Sequence, residues 1–117
     1  MTTPLDTVLA YHRAWTSGDV ETAMTHVADD AVCHAPGVEL TGKPAYTAFL
    51  DGFAPNLTGL TDLAHLADGE KVTLFYHPHT AATSSAPAAE LFTVRDGLIV
   101  DNVLVFDRMS YAPPEQS

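Results

Sequence analysis

The chain has 117 residues, 46% of them apolar and 17% charged, which is typical of one packed globular domain with a single core. Fifteen acidic against five basic residues give a formal charge of -10, which argues against nucleic acids and anionic membranes as partners. No apolar run approaches the about 20 residues that a membrane-spanning helix needs.

Two helices are predicted at the N-terminal end. Thr3 can cap the first, Pro4 suits its first position, and Asp6 lies in the first turn, where a carboxylate meets free N–H groups. Apolar residues then recur at helical spacing until Gly18 permits a left-handed stop. Asp19 caps a second, shorter helix.

A short strand is predicted over residues 31–35, followed by a turn at Pro36 and Gly37. The segment 41–44 then opens a third helix, which Pro55 ends. Four residues of this helix form its predicted buried face: Tyr46, Phe49, Leu50 and Phe53.

From here the apolar period changes from helical to extended, and the second half of the chain is predicted to form a sheet. The predicted strands cover residues 57–66, 71–80, 89–94 and 98–106. The fold class is therefore α+β, with three helices on a curved antiparallel sheet. Residues 1–111 are expected to form the single domain and residues 112–117 a flexible tail.

The strand over residues 98–106 is apolar on both faces. One face can cover an internal pocket, but the helices cannot also cover the other. We therefore expect a homodimer through the convex face of the sheet.

The order of elements resembles the nuclear transport factor 2-like superfamily over almost the whole chain. Residues 11–19 and 26–32 resemble the end of that family's first helix and the passage into its first strand, while residues 94–100 and 106–108 resemble its last hairpin and closing motif. The resemblance is to the SnoaL-like, ketosteroid-isomerase-like family. It implies a cone-shaped, curved antiparallel or mixed sheet wrapped around helices that enclose an apolar pocket.

Comparison with ketosteroid isomerases implies roles for individual residues. Tyr11 corresponds to the tyrosine of their oxyanion hole, and Glu90 to their second proton donor, a protonated aspartate. Their general base corresponds to Ala35, which cannot accept a proton. The resemblance therefore supplies two donors and no acceptor.

The residues themselves offer candidates for the acceptor. His77 and His79 project to one face of an extended segment and could exchange protons near neutral pH. They could instead be half of a metal site with Glu90, or lie at the surface beside Pro78. Glu90 shares one face of its strand with Phe92 and Val94. If that face is concave, Glu90 lies in the pocket with a raised pKa, and the alternative is a solvated position at the strand edge.

The substrate-binding wall is predicted to be largely aromatic, and plain core packing is the alternative for the same residues. Asn102 lies among apolar residues of the last strand and needs a partner, which could be substrate. These assignments require even-numbered residues in 90–94 and 100–106 to face the cavity with Tyr11. The predicted wall residues are Trp15, Phe49, Phe53, Phe75, Phe92, Asn102 and Phe106.

The leading hypothesis is a cofactor-free acid–base enzyme, an isomerase, cyclase or lyase such as a dehydratase, acting on a small hydrophobic oxygenated molecule. Tyr11, Glu90, His77 and His79 are its predicted catalytic residues, and no metal is required. The rival is a hydrophobic-ligand-binding or dimeric scaffold protein without catalysis. An epoxide hydrolase is a weaker third hypothesis, because Arg95 is predicted to face outward from a turn.

The cellular location is predicted to be the cytoplasm. Thr2, Thr3 and Asp6 interrupt the positions where a signal peptide would have a basic start and an apolar run. The single cysteine, Cys33, cannot form an internal disulfide, and we expect it to be a buried, inert thiol.

Overall fold

The computed structural model describes residues 2–111, so the predicted tail at 112–117 lies outside the described residues. These described residues form three α-helices, two 3-10 helices and six strands. The helices are α1 (Pro4–Thr16), α2 (Val20–Met24) and α3 (Lys43–Phe53), with 3-10 turns at Ala54–Asn56 and Arg108–Tyr111. The strands are β1 (Val27–Ala35), β2 (Val38–Thr41), β3 (Gly59–Asp68), β4 (Lys71–His79), β5 (Ala88–Arg95) and β6 (Leu98–Phe106).

The first helix begins at the predicted cap. The Thr3 side chain accepts a hydrogen bond from the backbone N–H of Asp6, and the Asp6 carboxylate accepts one from the backbone N–H of Thr3. This reciprocal pair is a capping box. Gly18 takes a φ of 94° after the helix, and the Asp19 side chain caps α2 by accepting from the N–H of Thr22.

The six strands form one mixed sheet in the order β2-β1-β6-β5-β4-β3. Only the β1–β6 pair is parallel, and the others are antiparallel. This confirms the predicted fold class. The first strand is longer than predicted, since it starts at Val27 and includes a register shift between Val27 and Val32. The predicted hairpin before β6 turns through Asp96 and Gly97, which both have positive φ.

The helices and the concave face of the sheet enclose the core. Along β5, Glu90, Phe92 and Val94 are buried, as the predicted parity requires, and Asn102 is buried on β6. On β4 the inward row consists of even-numbered residues: Val72, Leu74, Tyr76 and Pro78 are buried, and their odd-numbered neighbours are not.

The convex face carries exposed apolar side chains. Phe75 and Leu91 are each 40% exposed and Val105 is 60% exposed. The register places Phe75, Ala89 and Val105 side by side across β4, β5 and β6. Within residues 2–111, none of the helices is long and apolar enough to cross a membrane.

Candidate active site

An apolar pocket lies between the end of α3 and the ends of β4, β5 and β6. Its volume is about 30 Å³. A cavity of that size has room for about two water molecules, whereas pockets for drug-sized ligands are typically about 300–1,000 Å³. Three predicted wall residues line it, together with four that were not predicted: Phe49, Phe53 and Phe106, and then Tyr76, Pro78, Ala88 and Leu104.

A buried carboxyl group lies two residues along β5 from Ala88, which is part of the pocket wall. Glu90 pairs across the sheet with Leu74 and Leu104, and it is 3% exposed. Its Oε2 accepts a hydrogen bond of 2.6 Å from the hydroxyl of Tyr76, which itself lines the pocket. Tyr76 therefore connects the pocket to the carboxyl group.

Burial raises the pKa of Glu90 from 4.5 to about 7, because the charged form loses its hydration. The hydrogen bond from Tyr76 acts in the opposite direction, since it stabilises the carboxylate. Glu90 is therefore a carboxyl group that can either accept or donate a proton near neutral pH. The alternative of a solvated strand-edge glutamate is excluded by its burial.

Tyr11 belongs to a buried chain of hydrogen bonds. Its hydroxyl lies 2.8 Å from the hydroxyl of Tyr46, which donates to Oδ1 of Asn102 at 3.3 Å. The thiol of Cys33 donates to the same oxygen at 3.3 Å. Burial raises the pKa of both tyrosines well above their ordinary value. Both phenols therefore remain protonated at neutral pH, and the network holds Asn102 in place from two sides.

Two further predicted wall residues lie in the core behind the pocket. Phe92 is fully buried and packs edge-on against Tyr11, with ring centroids 5.6 Å apart. Trp15 packs against the pocket residue Phe53 with centroids 6.1 Å apart. Both side chains support the wall without lining the pocket.

The structure does not bring His77, His79 or Phe75 to this pocket. All three lie in the odd-numbered row of β4, on the side of the sheet opposite to Tyr76 and Pro78. Nε2 of His79 lies 2.9 Å from the hydroxyl of Thr61 on the neighbouring strand. The expectation that these two imidazoles share one cavity with Tyr11 and Glu90 is wrong, because strand alternation sends them to the other face.

Ala35, at the position where the resemblance to ketosteroid isomerases implies a general base, is half-buried at the end of β1. Its neighbour His34 cannot substitute, since its two ring nitrogens lie 2.9 Å from Glu39 and 3.0 Å from Asp101. Among residues 2–111, no three His, Cys, Asp or Glu side chains come together as a metal site. Burial raises the pKa of the Cys33 thiol to about 12.

Sequence reasoning missed an imidazole–carboxylate pair on the other side of Tyr76. His12 is buried on α1, its Nε2 lies 3.0 Å from Oδ1 of Asp62 on β3, and its ring centroid lies 4.7 Å from that of Tyr76. A histidine within the apolar stripe of a helix was a usable signal. The position of Asp62 was not predictable, because a register shift in β3 sets it.

The six-stranded mixed sheet with its three helices has the fold of nuclear transport factor 2-like proteins. Residues 8–102 match the family described as SnoaL-like domain, and the chain belongs to that family. Comparison with curated proteins gives no significant match.

Solved structures agree with this assignment. A protein from Kribbella flavida DSM 17836 is 44% identical, with a TM-score of 0.90 over 95% of this chain and 92% of that one. A proposed polyketide cyclase from Sinorhizobium meliloti is 22% identical, with a TM-score of 0.76 over 86% and 94%. TerC, crystallised with polyporic acid, is 18% identical, with a TM-score of 0.74 over 92% and 94%. The last two likenesses establish the fold alone.

Proposed function

We propose that this protein is a cofactor-free acid–base enzyme, an isomerase, cyclase or lyase, that acts on a small hydrophobic oxygenated molecule such as a ketone or polyketide-like metabolite. The observation that carries the proposal is the 2.6 Å hydrogen bond from Tyr76 to the buried carboxyl group of Glu90 beside an apolar pocket. Two proteins of similar fold are consistent with such a substrate class: one is a proposed polyketide cyclase, and the other, TerC, was crystallised with polyporic acid.

The chemistry follows from the two groups. In its ionised form Glu90 takes a proton from the carbon next to a carbonyl group, so that a C–H bond breaks and an O–H bond forms. The electron pair moves to the carbonyl oxygen. Once Glu90 is protonated it no longer needs the Tyr76 hydroxyl as a donor, so Tyr76 can donate to the enolate oxygen. Return of the proton to another carbon completes an isomerisation.

Tyr11 has a supporting place in this proposal. Its phenol stays neutral, lies in the same buried region as Glu90 and bonds to Tyr46. A donor held in this way can strengthen a neighbouring hydroxyl through the shared hydrogen bond. The predicted donor role of Tyr11 towards substrate remains part of the proposal.

Substrate entry requires the pocket to open, because about 30 Å³ is smaller than any ketone of the proposed class. Phe49 and Phe53 on the last turns of α3 are only partly buried and form one wall. We infer that rotation of these two side chains enlarges the pocket. Leu104 and Phe106 on the opposite wall are also only partly buried.

The test is hydrogen–deuterium exchange at the carbon next to the carbonyl of 2-tetralone in D₂O, followed by NMR. The wild-type protein should accelerate exchange over buffer, and Glu90→Gln should reduce the rate at least about 100-fold, the usual range for a general base. Glu21→Gln, an exposed change on α2, is the matched control and should keep the wild-type rate. An exchange rate with the wild-type protein that is no faster than the rate in buffer would refute the proposal.

A second candidate is a hydrophobic-ligand-binding or scaffold protein without catalysis. It is favoured by the closed hydrogen-bond network of Tyr11, Tyr46 and Asn102, in which the hydroxyls already have partners inside the protein. Saturable binding of 2-tetralone without accelerated exchange would select this candidate over the first.

We also propose that the protein is a homodimer through the convex face of its sheet. The support is the row of exposed apolar side chains on the central strands, with Phe75, Leu91 and Val105 in neighbouring positions. Sedimentation at micromolar concentration should give a dimer, and Val105→Asp a monomer. Val38→Asp, an exposed apolar position on the edge strand β2 and on the other face of the sheet, is the control and should remain dimeric. A monomeric wild-type protein would contradict the proposal.

A further inference from the structure

The phenol ring of Tyr76 contacts both the apolar pocket and helix α1. On the pocket side it forms part of the wall, and its hydroxyl donates to Oε2 of Glu90 at 2.6 Å. Packing on this side changes when a substrate enters, because the pocket has to enlarge to admit it. Contacts outside the pocket are therefore needed to keep the hydroxyl aimed at Glu90.

The contact from α1 is made by His12. Its buried imidazole packs edge-on against the ring of Tyr76, with centroids 4.7 Å apart and an angle of 61° between the ring planes. Trp15 lies next to the same imidazole, with centroids 6.0 Å apart. Among the described residues, the wall of the pocket does not include His12, so enlargement of the pocket leaves this contact in place.

A single hydrogen bond sets the orientation of the imidazole. Nε2 of His12 lies 3.0 Å from Oδ1 of Asp62, whereas Nδ1 has no hydrogen-bond partner among the described residues. A carboxylate only accepts hydrogen bonds, so Nε2 carries the proton and donates it. Asp62 is also the cross-strand neighbour of Tyr76, immediately before the register shift in β3. The residue that anchors the imidazole therefore lies beside the ring that the imidazole supports.

We propose that Asp62 and His12 are positioning residues of the proposed active site: Asp62 fixes the imidazole of His12, and the imidazole holds Tyr76 where its hydroxyl donates to Glu90. Neither residue touches the substrate, and both act through Tyr76. The inference rests on the proposed function, in which Glu90 is the base. It extends the site from the pocket to the edge strand β3, where the Asp62 side chain is 72% exposed.

The consequence of this arrangement is measurable at Glu90. Burial raises the pKa of Glu90 to about 7, and the hydrogen bond from Tyr76 acts to lower it. A Tyr76 ring that is no longer held donates less well, so the pKa of Glu90 should rise further. Loss of the Asp62 charge alone would act in the opposite direction, because removal of an anion makes a carboxyl group easier to ionise. The direction of the change therefore separates positioning from a direct effect of charge.

The other titratable groups that face Glu90 keep one protonation state near neutral pH. Burial raises the pKa of Tyr11 on α1 and of Tyr46 on α3 well above the ordinary value for a phenol. Burial also raises the pKa of the Cys33 thiol on β1 to about 12. These three groups stay neutral while Glu90 titrates, so they do not obscure its response.

His12 also stays neutral in this range. Burial lowers its pKa below 6.5, while the hydrogen bond and charge of Asp62 on β3 act to raise it and Arg13 on α1 acts to lower it. The hydrogen bond from Nε2 to Asp62 therefore persists at pH 7 and above, since a neutral ring protonated at Nε2 is sufficient to make it.

The test is ¹³C NMR of protein labelled at its glutamate carboxyl carbons, in which the signal that Glu90→Gln removes is that of Glu90. Asp62→Ala removes the acceptor for His12 at an exposed position and should raise the pKa of Glu90 from about 7 to about 8. Asp62→Asn keeps an oxygen that can accept from Nε2 and should retain the wild-type value. Asp68→Ala, an exposed change at the end of the same strand, is the matched control and should also retain it.

Two outcomes of this titration would overturn the proposal. The first is an unchanged or lowered pKa of Glu90 in Asp62→Ala. The second is a rise in Asp62→Asn as large as that in Asp62→Ala, since the asparagine variant retains an acceptor.

A double-mutant comparison tests whether Asp62 acts through His12. His12→Phe keeps an aromatic ring beside Tyr76 but has no N–H group for Asp62. In this background Asp62→Ala should leave the pKa of Glu90 unchanged, because the two residues act as one unit. A rise as large as that in the wild-type background would show that the proposal is wrong. If His12→Phe does not fold, the Asp62 variants alone decide the question.

The 2-tetralone assay separates this inference from the proposed function. In Asp62→Ala the pH at which exchange reaches half its maximal rate should rise with the pKa of Glu90, whereas Asp68→Ala should follow wild type. Absence of exchange with the wild-type protein would remove the proposed function and leave the inference to the NMR titration, which needs no substrate. Exchange by the wild-type protein with an unchanged Glu90 titration in Asp62→Ala would overturn the inference and leave the proposed function intact.

Discussion

Replacing Glu90 with glutamine should make the stability of the protein less dependent on pH. Burial raises the pKa of Glu90 from 4.5 to about 7, so between these values the folded state holds a proton that the unfolded state has released. The free energy of unfolding therefore falls as pH rises through this window and levels off above it. Since each pKa unit is worth about 1.36 kcal/mol, Glu90 alone lowers stability by about 3 kcal/mol.

The measurement is urea unfolding at pH 4.5 and pH 8.5, followed by the fluorescence of Trp15, the single tryptophan. Between the two pH values, the free energy of unfolding of the E90Q variant should rise by about 3 kcal/mol relative to wild type, because the variant has no carboxyl group that ionises in this window. Tyr76 can still donate a hydrogen bond to the glutamine carbonyl. Shifts at His12, Asp6 and Asp19 occur in both proteins and cancel in the difference. Glu21→Gln should follow wild type. An E90Q variant with the wild-type pH dependence would refute the argument.

Two further substitutions and one labelling experiment test separate parts of the structure. Tyr46→Phe should lower the free energy of unfolding by about 1–3 kcal/mol, since the buried Tyr11 hydroxyl and Asn102 oxygen lose a partner; an unchanged thermal melt would contradict this. Thr3→Ala should cost about 1 kcal/mol by removing the capping box, measured by urea unfolding against Thr2→Ala as the control. Cys33 should react with a thiol reagent at pH 8 only after unfolding, and fast labelling of the native protein would show that its burial is wrong.

Local signals in the sequence were sufficient for most of the fold. The caps at Thr3 and Asp19, the positive φ of Gly18 and the Asp96-Gly97 turn each depend on a few adjacent residues, and each lies where the residue types predicted. The start of β1 at Val27 was not predictable in the same way. It depends on parallel pairing with β6, some 70 residues later in the chain, which local patterns do not encode.

The candidate site was predicted on β5 and β6 but not on β4. On β5, Glu90 shares a face with Phe92 and Val94, and on β6 Asn102 is the polar exception in an apolar row, so a site could be predicted on that face of both strands. On β4 the even-numbered row is apolar, whereas the odd-numbered row is polar apart from Phe75, so the alternation already favoured Tyr76 as the inward residue and the prediction overlooked it. The pairing of β4 with β5 decides it, by placing Leu74 opposite Glu90.

The position of β6 has a consequence for how the chain reaches its native state. This last strand lies at the middle of the sheet, between β1 and β5, so the hairpin of β1 and β2 has no direct link to the β3–β5 meander until β6 is in place. During synthesis, the β1–β2 hairpin and the β3–β5 meander can join into one sheet only after residues 98–106 have left the ribosome. The closing step joins distant parts of the chain and is expected to be slow compared with formation of either hairpin.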